Sequence, residues 1–319
     1  MAAQQGCGPL SAVWLARQLG VAATQASAVG GGCIHRAWCL TVSPLAPGEG
    51  PSRGARGRIF VKTNQAAALP LLEAEAEGLE ALALAAEGTG ITVPQPLALG
   101  VDRDQAALLL PWQELGGPGA AAGWGALGDG LARLHRRSLG LSCTAGDRPD
   151  HFGWPRDNWI GSGPQPNGWE PSWAAFFTTR RLAPQLERLA RGGRPLADAA
   201  RLLERLPAWL AGHQPPPTLV HGDLWSGNAA IAAAGPVLFD PAVYRGDREV
   251  DLAMARLFGG FPEAFFAAYE RAWPLPEGHR HRVDLYNLYH LLNHANLFGG
   301  SYGHQAEAVA RRLLAQEGG

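Results

Sequence analysis

One interruption constrains the architecture of this 319-residue chain more than any other feature. From about residue 124 onward apolar residues recur at helical spacing, except across 218–240. There Thr218-Leu219-Val220 reads as a short buried strand, and His221–Asn228 as a polar loop containing Asp223 and Asn228. Residues 229–239 carry a hairpin pattern around Ala234-Gly235, and the apolar run Val237-Leu238-Phe239 ends abruptly on Asp240.

The first third of the chain is patterned differently. Residues 9–19 suggest a short amphipathic helix with Val13, Leu15 and Leu19 as its apolar positions. Residues 29–42 read as strand, glycine turn (Gly30-Gly31-Gly32) and strand, and Arg58–Lys62 as a third strand ending on lysine. Pro70 suits the start of a helix over 70–87, in which Leu72, Glu75, Leu79 and Leu82 share one face. A carboxylate on the apolar side of a helix calls for a partner. Residues 91–99 are extended, and 107–112 form a buried strand that runs into a Gly/Ala/Pro-rich break at 116–123. The expected fold is α+β and bilobal. Residues 1–115 form a small β-rich lobe with one key helix. Residues 116–319 form a larger, mostly helical lobe, with helices near 124–137, 172–191, 195–211, 247–258, 261–272, 280–298 and 303–315.

Composition narrows the functional classes. The formal net charge is -1, which gives no bulk attraction to nucleic acid or to an anionic membrane. No apolar run approaches the ~18 residues of a membrane span, and the N-terminus lacks the pattern of a secretory signal. Cys7, Cys33, Cys39 and Cys143 form no C-x-x-C pair, so reduced thiols and a cytoplasmic location are expected. Nothing in the sequence selects an oligomeric state.

The loop at 221–228 carries the chemistry. An Asp followed five positions later by an Asn, just after a short apolar strand, matches the arrangement of a kinase catalytic loop. The Asp must reach an attacking hydroxyl while the Asn points back at a metal on the phosphates, and a tight loop can aim both at one place. A hairpin of the length of 229–239 returns Asp240 beside Asn228. Asn228 plus Asp240 is the kind of oxygen-donor pair that holds Mg²⁺, which takes its remaining ligands from phosphate and water. Lys62 and the inward-facing Glu75 fit the recurring device of a phosphate-anchoring lysine fixed by a helical carboxylate. Glycines at 31 and 32, with Cys33 beside them, would let backbone N–H groups approach phosphate oxygens. The joint order predicts ATP-dependent phosphoryl transfer.

The stretches GGCI (31–34), FVK (60–62), EAEGLEAL (75–82), DNWIG (157–161), HGDLWSGN (221–228), FDPAVYRGDREVDLAM (239–254), LFGGFP (257–262) and LYNLYHLLNHANLFGGSY (285–302) resemble the fructosamine kinase family. This family, the ketosamine-3-kinases, shares the protein-kinase-like and aminoglycoside-phosphotransferase-like fold. The resemblance implies Asp223 as the base for a sugar hydroxyl and Asn228 with Asp240 as Mg²⁺ ligands. It implies Lys62 and Glu75 as the ATP-anchoring pair, and residues 109–115, with Pro111, Trp112 and Gln113, as the adenine-contacting hinge. It further implies phosphorylation of the third sugar carbon of small-molecule or protein-bound ketosamines, as a deglycation repair. A phosphotransferase for another small alcohol, such as an aminoglycoside, choline or an amino sugar, is the competing reading.

Other residues carry narrower expectations. Trp225 suits a platform for the sugar, and Asn158, Asn167, Trp169 and His294 are candidates to line the acceptor site. Asp251 is expected to bond backbone N–H groups of the catalytic loop, and His221 to fix that loop rather than act as base. Cys33 is a candidate redox-sensitive thiol in the glycine turn.

Overall fold

The computed structural model describes residues 8–30, 34–45, 57–116 and 120–315. They gather into two compact units, one of Met1–Glu80 with Pro94–Leu115, the other of Ala81–Val93 with Gly116–Gly319.

The first unit is built on a five-stranded antiparallel sheet. Helix α1 (Ala12–Leu19) precedes strands β1 (Val21–Val29), β2 (Arg36–Pro44) and β3 (Gly57–Gln65); helix α2 (Leu69–Ala86) follows, and β4 (Ala98–Asp102) and β5 (Gln105–Pro111) complete the sheet in the order β1-β2-β3-β5-β4. Ser11 caps α1, accepting from Trp14 N and donating to Asp102. The helix buries Trp14, Leu15 and Leu19, whereas Val13, an expected apolar position, is 79% exposed. The burial of Trp14 sets the face, because its large ring dominates the apolar area that one turn can hide. Strand alternation does the rest. On β3, Ile59 and Val61 join the core with α1, Leu40 and Leu109. Lys62, the next residue, points to the opposite face.

The second unit is mainly helical. In chain order it holds α3 (Ala120–Arg137), β6 (Asn158–Ile160), β7 (Gly163–Gln165), α4 (Trp173–Phe176), a π-helical turn over Phe177–Leu182, α5 (Ala183–Arg191) and α6 (Ala199–Leu210). Then come β8 (Thr218–Val220), β9 (Ala229–Ala232), β10 (Gly235–Leu238), β11 (Tyr244–Gly246), α7 (Glu249–Leu257), α8 (Glu263–Ala272), α9 (His279–Phe298) and α10 (Tyr302–Ala315). Helices α3 and α8 pack so closely that a Cβ on Gly128 would lie 2.1 Å from the Phe265 carbonyl oxygen. The expected hairpin is present as β9 and β10. Strand β11 pairs antiparallel with β8, Tyr244 opposite Val220, and so clamps both ends of the polar loop segment. Among the described residues no helix is long and apolar enough to cross a membrane.

Candidate active site

The loop after β8 is shaped by contacts that local sequence cannot supply. Gly222 adopts φ +80, and a Cβ there would sit 2.1 Å from the Ala242 carbonyl oxygen, so only glycine fits. The buried Asp251 carboxylate, on α7, accepts from His221 N (2.7 Å), Gly222 N (2.9 Å) and the His135 ring (3.1 Å). Burial raises its pKa, but His135, His221 and the Gly222 N–H outweigh this and hold the carboxyl below the usual range. His135 continues the chain of bonds to the hydroxyl of Tyr269 on α8, 2.9 Å away. His221 is fully buried, bonds the Phe239 carbonyl through Nε2 at 3.0 Å and is driven toward the neutral form by desolvation. It positions the loop, as its place in the sequence suggests.

Within this frame Asp223, Asn228 and Asp240 come together. The Asn228 amide donates to the Asp223 carboxylate (3.0 Å), to the Asp223 carbonyl (2.9 Å) and to the Asp240 carbonyl (3.3 Å). Phe239 N donates to Asn228 O at 3.1 Å, which brings the end of the hairpin back beside the loop. Asp240 itself sits at φ +56, a conformation sparsely used by residues other than glycine and found at constrained sites. Burial, then the nearby Asp240 charge, push Asp223 up to about 7, with the Asn228 bond opposing. As a residue Asp223 is half-buried, between the buried Gly222 and Leu224.

In the first unit, Lys62 Nζ donates to Glu75 Oε1 at 2.7 Å, with both side chains at most 10% exposed. This pairing is the reason a carboxylate occupies the apolar side of α2. At the end of β5, Trp112 donates through Nε1 to Glu114 at 3.0 Å. Arg58 lies over the Trp112 ring, 5.2 Å from its centroid, and forms an ion pair with Glu114. That gives Arg58 a partner the sequence did not suggest. Gly31, Gly32 and Cys33 lie outside the described residues.

Two of the residues expected at the acceptor site are enclosed. Asn158 is only 4% exposed, and its side chain is committed inward: it donates to Val243 O (2.8 Å) and accepts from Gln165 (2.8 Å) and Asn167 (2.7 Å). These bonds fasten the β6–β7 hairpin to the segment before β11. Asn167 is likewise enclosed and accepts from Arg181 at 2.7 Å. Trp225 is 40% exposed, with its ring laid over Gly227, where a Cβ would meet it at 2.2 Å. His294 bonds the His290 carbonyl at 2.9 Å and faces an aromatic cluster.

Several supporting residues escaped sequence reasoning. Arg181, in the π-helical turn, is fully buried and packs over the Tyr244 ring at 3.8 Å. Its guanidinium donates to the Pro166 and Arg180 carbonyls and to Asn167; among the described residues no carboxylate meets it. Arg245 on β11 forms a fully buried pair with Asp147 at 2.6 Å. Glu249 accepts a bidentate bond from Arg282 (2.8 and 2.7 Å), and Asp247 accepts from His213 and Tyr286. A basic residue next to an apolar stretch was the one available signal, and it does not reveal its partner.

Comparison with known proteins gives one consistent picture. The family model described as fructosamine kinase matches residues 10–316. A Synechocystis protein named "probable ketoamine kinase" is 44% identical over 90% of this chain and 89% of its own length. One of the same description from Escherichia coli K12 is 40% identical over 89% of this chain and 91% of its own. A crystal structure from Haemophilus somnus, provisionally named as a fructosamine-3-kinase, matches with TM-score 0.80 at 27% identity, covering 98% of this chain and 99% of that one. An aminoglycoside phosphotransferase solved with AMP-PNP and hygromycin B shares the fold, with TM-score 0.57 at 14% identity over 97% of this chain and 99% of that one.

Proposed function

Because the chain belongs to the fructosamine kinase family and is an ATP-dependent phosphotransferase of kinase-like fold, we propose that it phosphorylates the 3-hydroxyl of ketosamines of the fructosamine or ribulosamine type. The amine is that of a small molecule or of a lysine on a protein. The phosphorylated product is unstable and releases the amine, so the activity is a deglycation repair. The observation that carries this reading is the convergence of Asp223, Asn228 and Asp240, supported by the Lys62–Glu75 pair.

The residues fit magnesium and ATP. Two carboxylates close enough for Asp240 to raise Asp223 are relieved by a divalent cation, and Asn228 and Asp240 offer the hard oxygen donors that suit Mg²⁺. Bound Mg·ATP supplies the γ-phosphoryl group and neutralises the charge that builds up on it. Lys62, held straight by Glu75, anchors phosphate oxygens. Gly31, Gly32 and Cys33 are assigned to the same phosphates, and Pro111, Trp112 and Gln113 to the adenine. Asp223 orients the sugar hydroxyl and takes up its proton as the oxygen is phosphorylated. A positioned base contributes roughly 10²–10⁴ in rate. His221 is unsuited to this task because its ring is enclosed and already bonded to Phe239.

The test is coupled ATP consumption with Mg²⁺ across fructosamines, ribulosamines, choline and aminoglycosides, with ³¹P NMR locating the new phosphate. Turnover confined to ketosamines, with the phosphate on the third carbon, is expected. Turnover of aminoglycosides or choline alone would replace this reading with the competing one.

A further inference from the structure

Large exposed apolar side chains in the second unit concentrate next to the catalytic loop. Phe258 (37% exposed) caps the C-terminal end of α7, Phe298 (53%) ends α9, and Trp225 (40%) lies in the loop itself. The His294 ring ties the first two together. Its centroid is 4.8 Å from Phe258, 5.5 Å from Phe298 and 5.0 Å from Tyr302, the first residue of α10. The turn after Phe258 runs against the catalytic loop: a Cβ on Gly260 would sit 2.4 Å from Ser226 Cβ. Two segments distant in sequence, Phe258 and the stretch 294–302, thus form one aromatic surface, and the turn that follows Phe258 abuts the residue three places after Asp223.

We propose that Phe258, His294, Phe298 and Tyr302 form the subsite for the amine substituent of the ketosamine, with an alkylammonium chain as its occupant. This rests on the reading that the acceptor is a ketosamine phosphorylated at Asp223. In such a molecule the nitrogen is carried on a carbon two places from the one bearing the reacting hydroxyl. With that hydroxyl at Asp223, the substituent must leave past residues flanking the loop. The nitrogen is a secondary amine, protonated near neutral pH, and a cation over aromatic faces is stabilised by their quadrupoles. Burial holds the pKa of His294 below its ordinary value, so the cluster adds no positive charge to repel it. The chain beyond the nitrogen is aliphatic in a lysine or alkylamine, and covering exposed aromatic area removes apolar surface from water.

Two ketosamines with the same sugar test this, one carried on hexylamine and one on methylamine. kcat and KM are measured for the wild-type chain, Phe298→Ala and Phe258→Ala. Because both side chains are exposed, truncation leaves the core intact. The wild-type preference for the hexylamine compound, as a ratio of kcat/KM, is expected to fall about 5- to 30-fold in each variant, mainly through KM. A ratio that stays within about twofold overturns the subsite while leaving the ketosamine reading intact. If the wild-type chain turns over neither compound, the ketosamine reading falls and the subsite falls with it. Sedimentation of the same variants is a further check: conversion of a wild-type dimer to a monomer would make this surface a self-interface and overturn the proposal.

Discussion

Asp251→Asn isolates what the catalytic loop costs to hold in place. The wild-type carboxylate accepts three bonds, at 2.7, 2.9 and 3.1 Å, from two backbone N–H groups and His135. An asparagine can present one oxygen but must present an NH₂ group where the second oxygen was. If that group replaces Oδ1, it faces the Gly222 N–H donor, which is then buried without an acceptor, at about 1–3 kcal/mol. The remaining bonds lose their ionic partner and roughly half their strength. Together this destabilises the second unit by about 3 kcal/mol, within the range for breaking a buried charged network. In a domain of this size about 3 kcal/mol lowers Tm by ~6–12 °C. The assay is thermal unfolding followed by far-UV circular dichroism, with turnover measured well below the transition. Turnover should drop on the order of 10²-fold even where the protein is folded, because Gly222 and Asp223 lose their fixed backbone position. A Tm within ~2 °C of wild type, with unchanged turnover, would refute the argument that this one carboxylate holds the loop.

Other perturbations separate chemistry from scaffold. Asp223→Asn should lower kcat by roughly 10²–10⁴ with nucleotide affinity retained in equilibrium binding; near wild-type turnover would remove its role as base. In the metal-free protein, Asp223 is raised from 3.8 to about 7, so the folded state binds more protons than the unfolded between those values. The contribution of Asp223 to stability therefore falls as pH rises from about 4 to about 7, and the difference in Tm between wild type and Asp223→Asn should change between about pH 5 and about pH 8 in that direction. Gly222→Ala forces a Cβ toward the Ala242 carbonyl at a positive φ and should cost more than ~2 kcal/mol in urea unfolding. Arg282→Met strands the buried Glu249 and should cost about 3–5 kcal/mol; adding Glu249→Gln should recover part of it, and no recovery would argue against the pair.

What could be read beforehand follows the range of the interaction involved. The hairpin over 229–239 and the helices of the second unit are written in periodicity, which is local, and they stand where expected. Glu75 was legible because a carboxylate on an apolar face is chemically incomplete without its lysine. Of strand β1 (Val21–Val29), only the final residue was anticipated. Its Ala-Ala-Thr-Gln-Ala-Ser-Ala stretch lacks branched apolar residues and gains its extended form from pairing with β2. Strand β11 is three residues long and exists through β8, more than twenty positions earlier. The bonds of Asn158 were hidden for a related reason: the sequence shows an amide, but only the fold shows that Val243, Gln165 and Asn167 bond to it. Asp251 was anticipated, whereas its continuation through His135 to Tyr269 spans three helices and leaves no periodic trace.

Arg181 sets a boundary condition for all of this chemistry. Its guanidinium is fully buried and held by two carbonyls and the Asn167 amide oxygen, with no carboxylate against it among the described residues. One ring away, Tyr244 lies within 3.3 Å of where a Gly222 side chain would begin. The turn at Gly222 is therefore backed, through one aromatic ring, by an enclosed cation, so a change at Tyr244 would reach the loop and the guanidinium together.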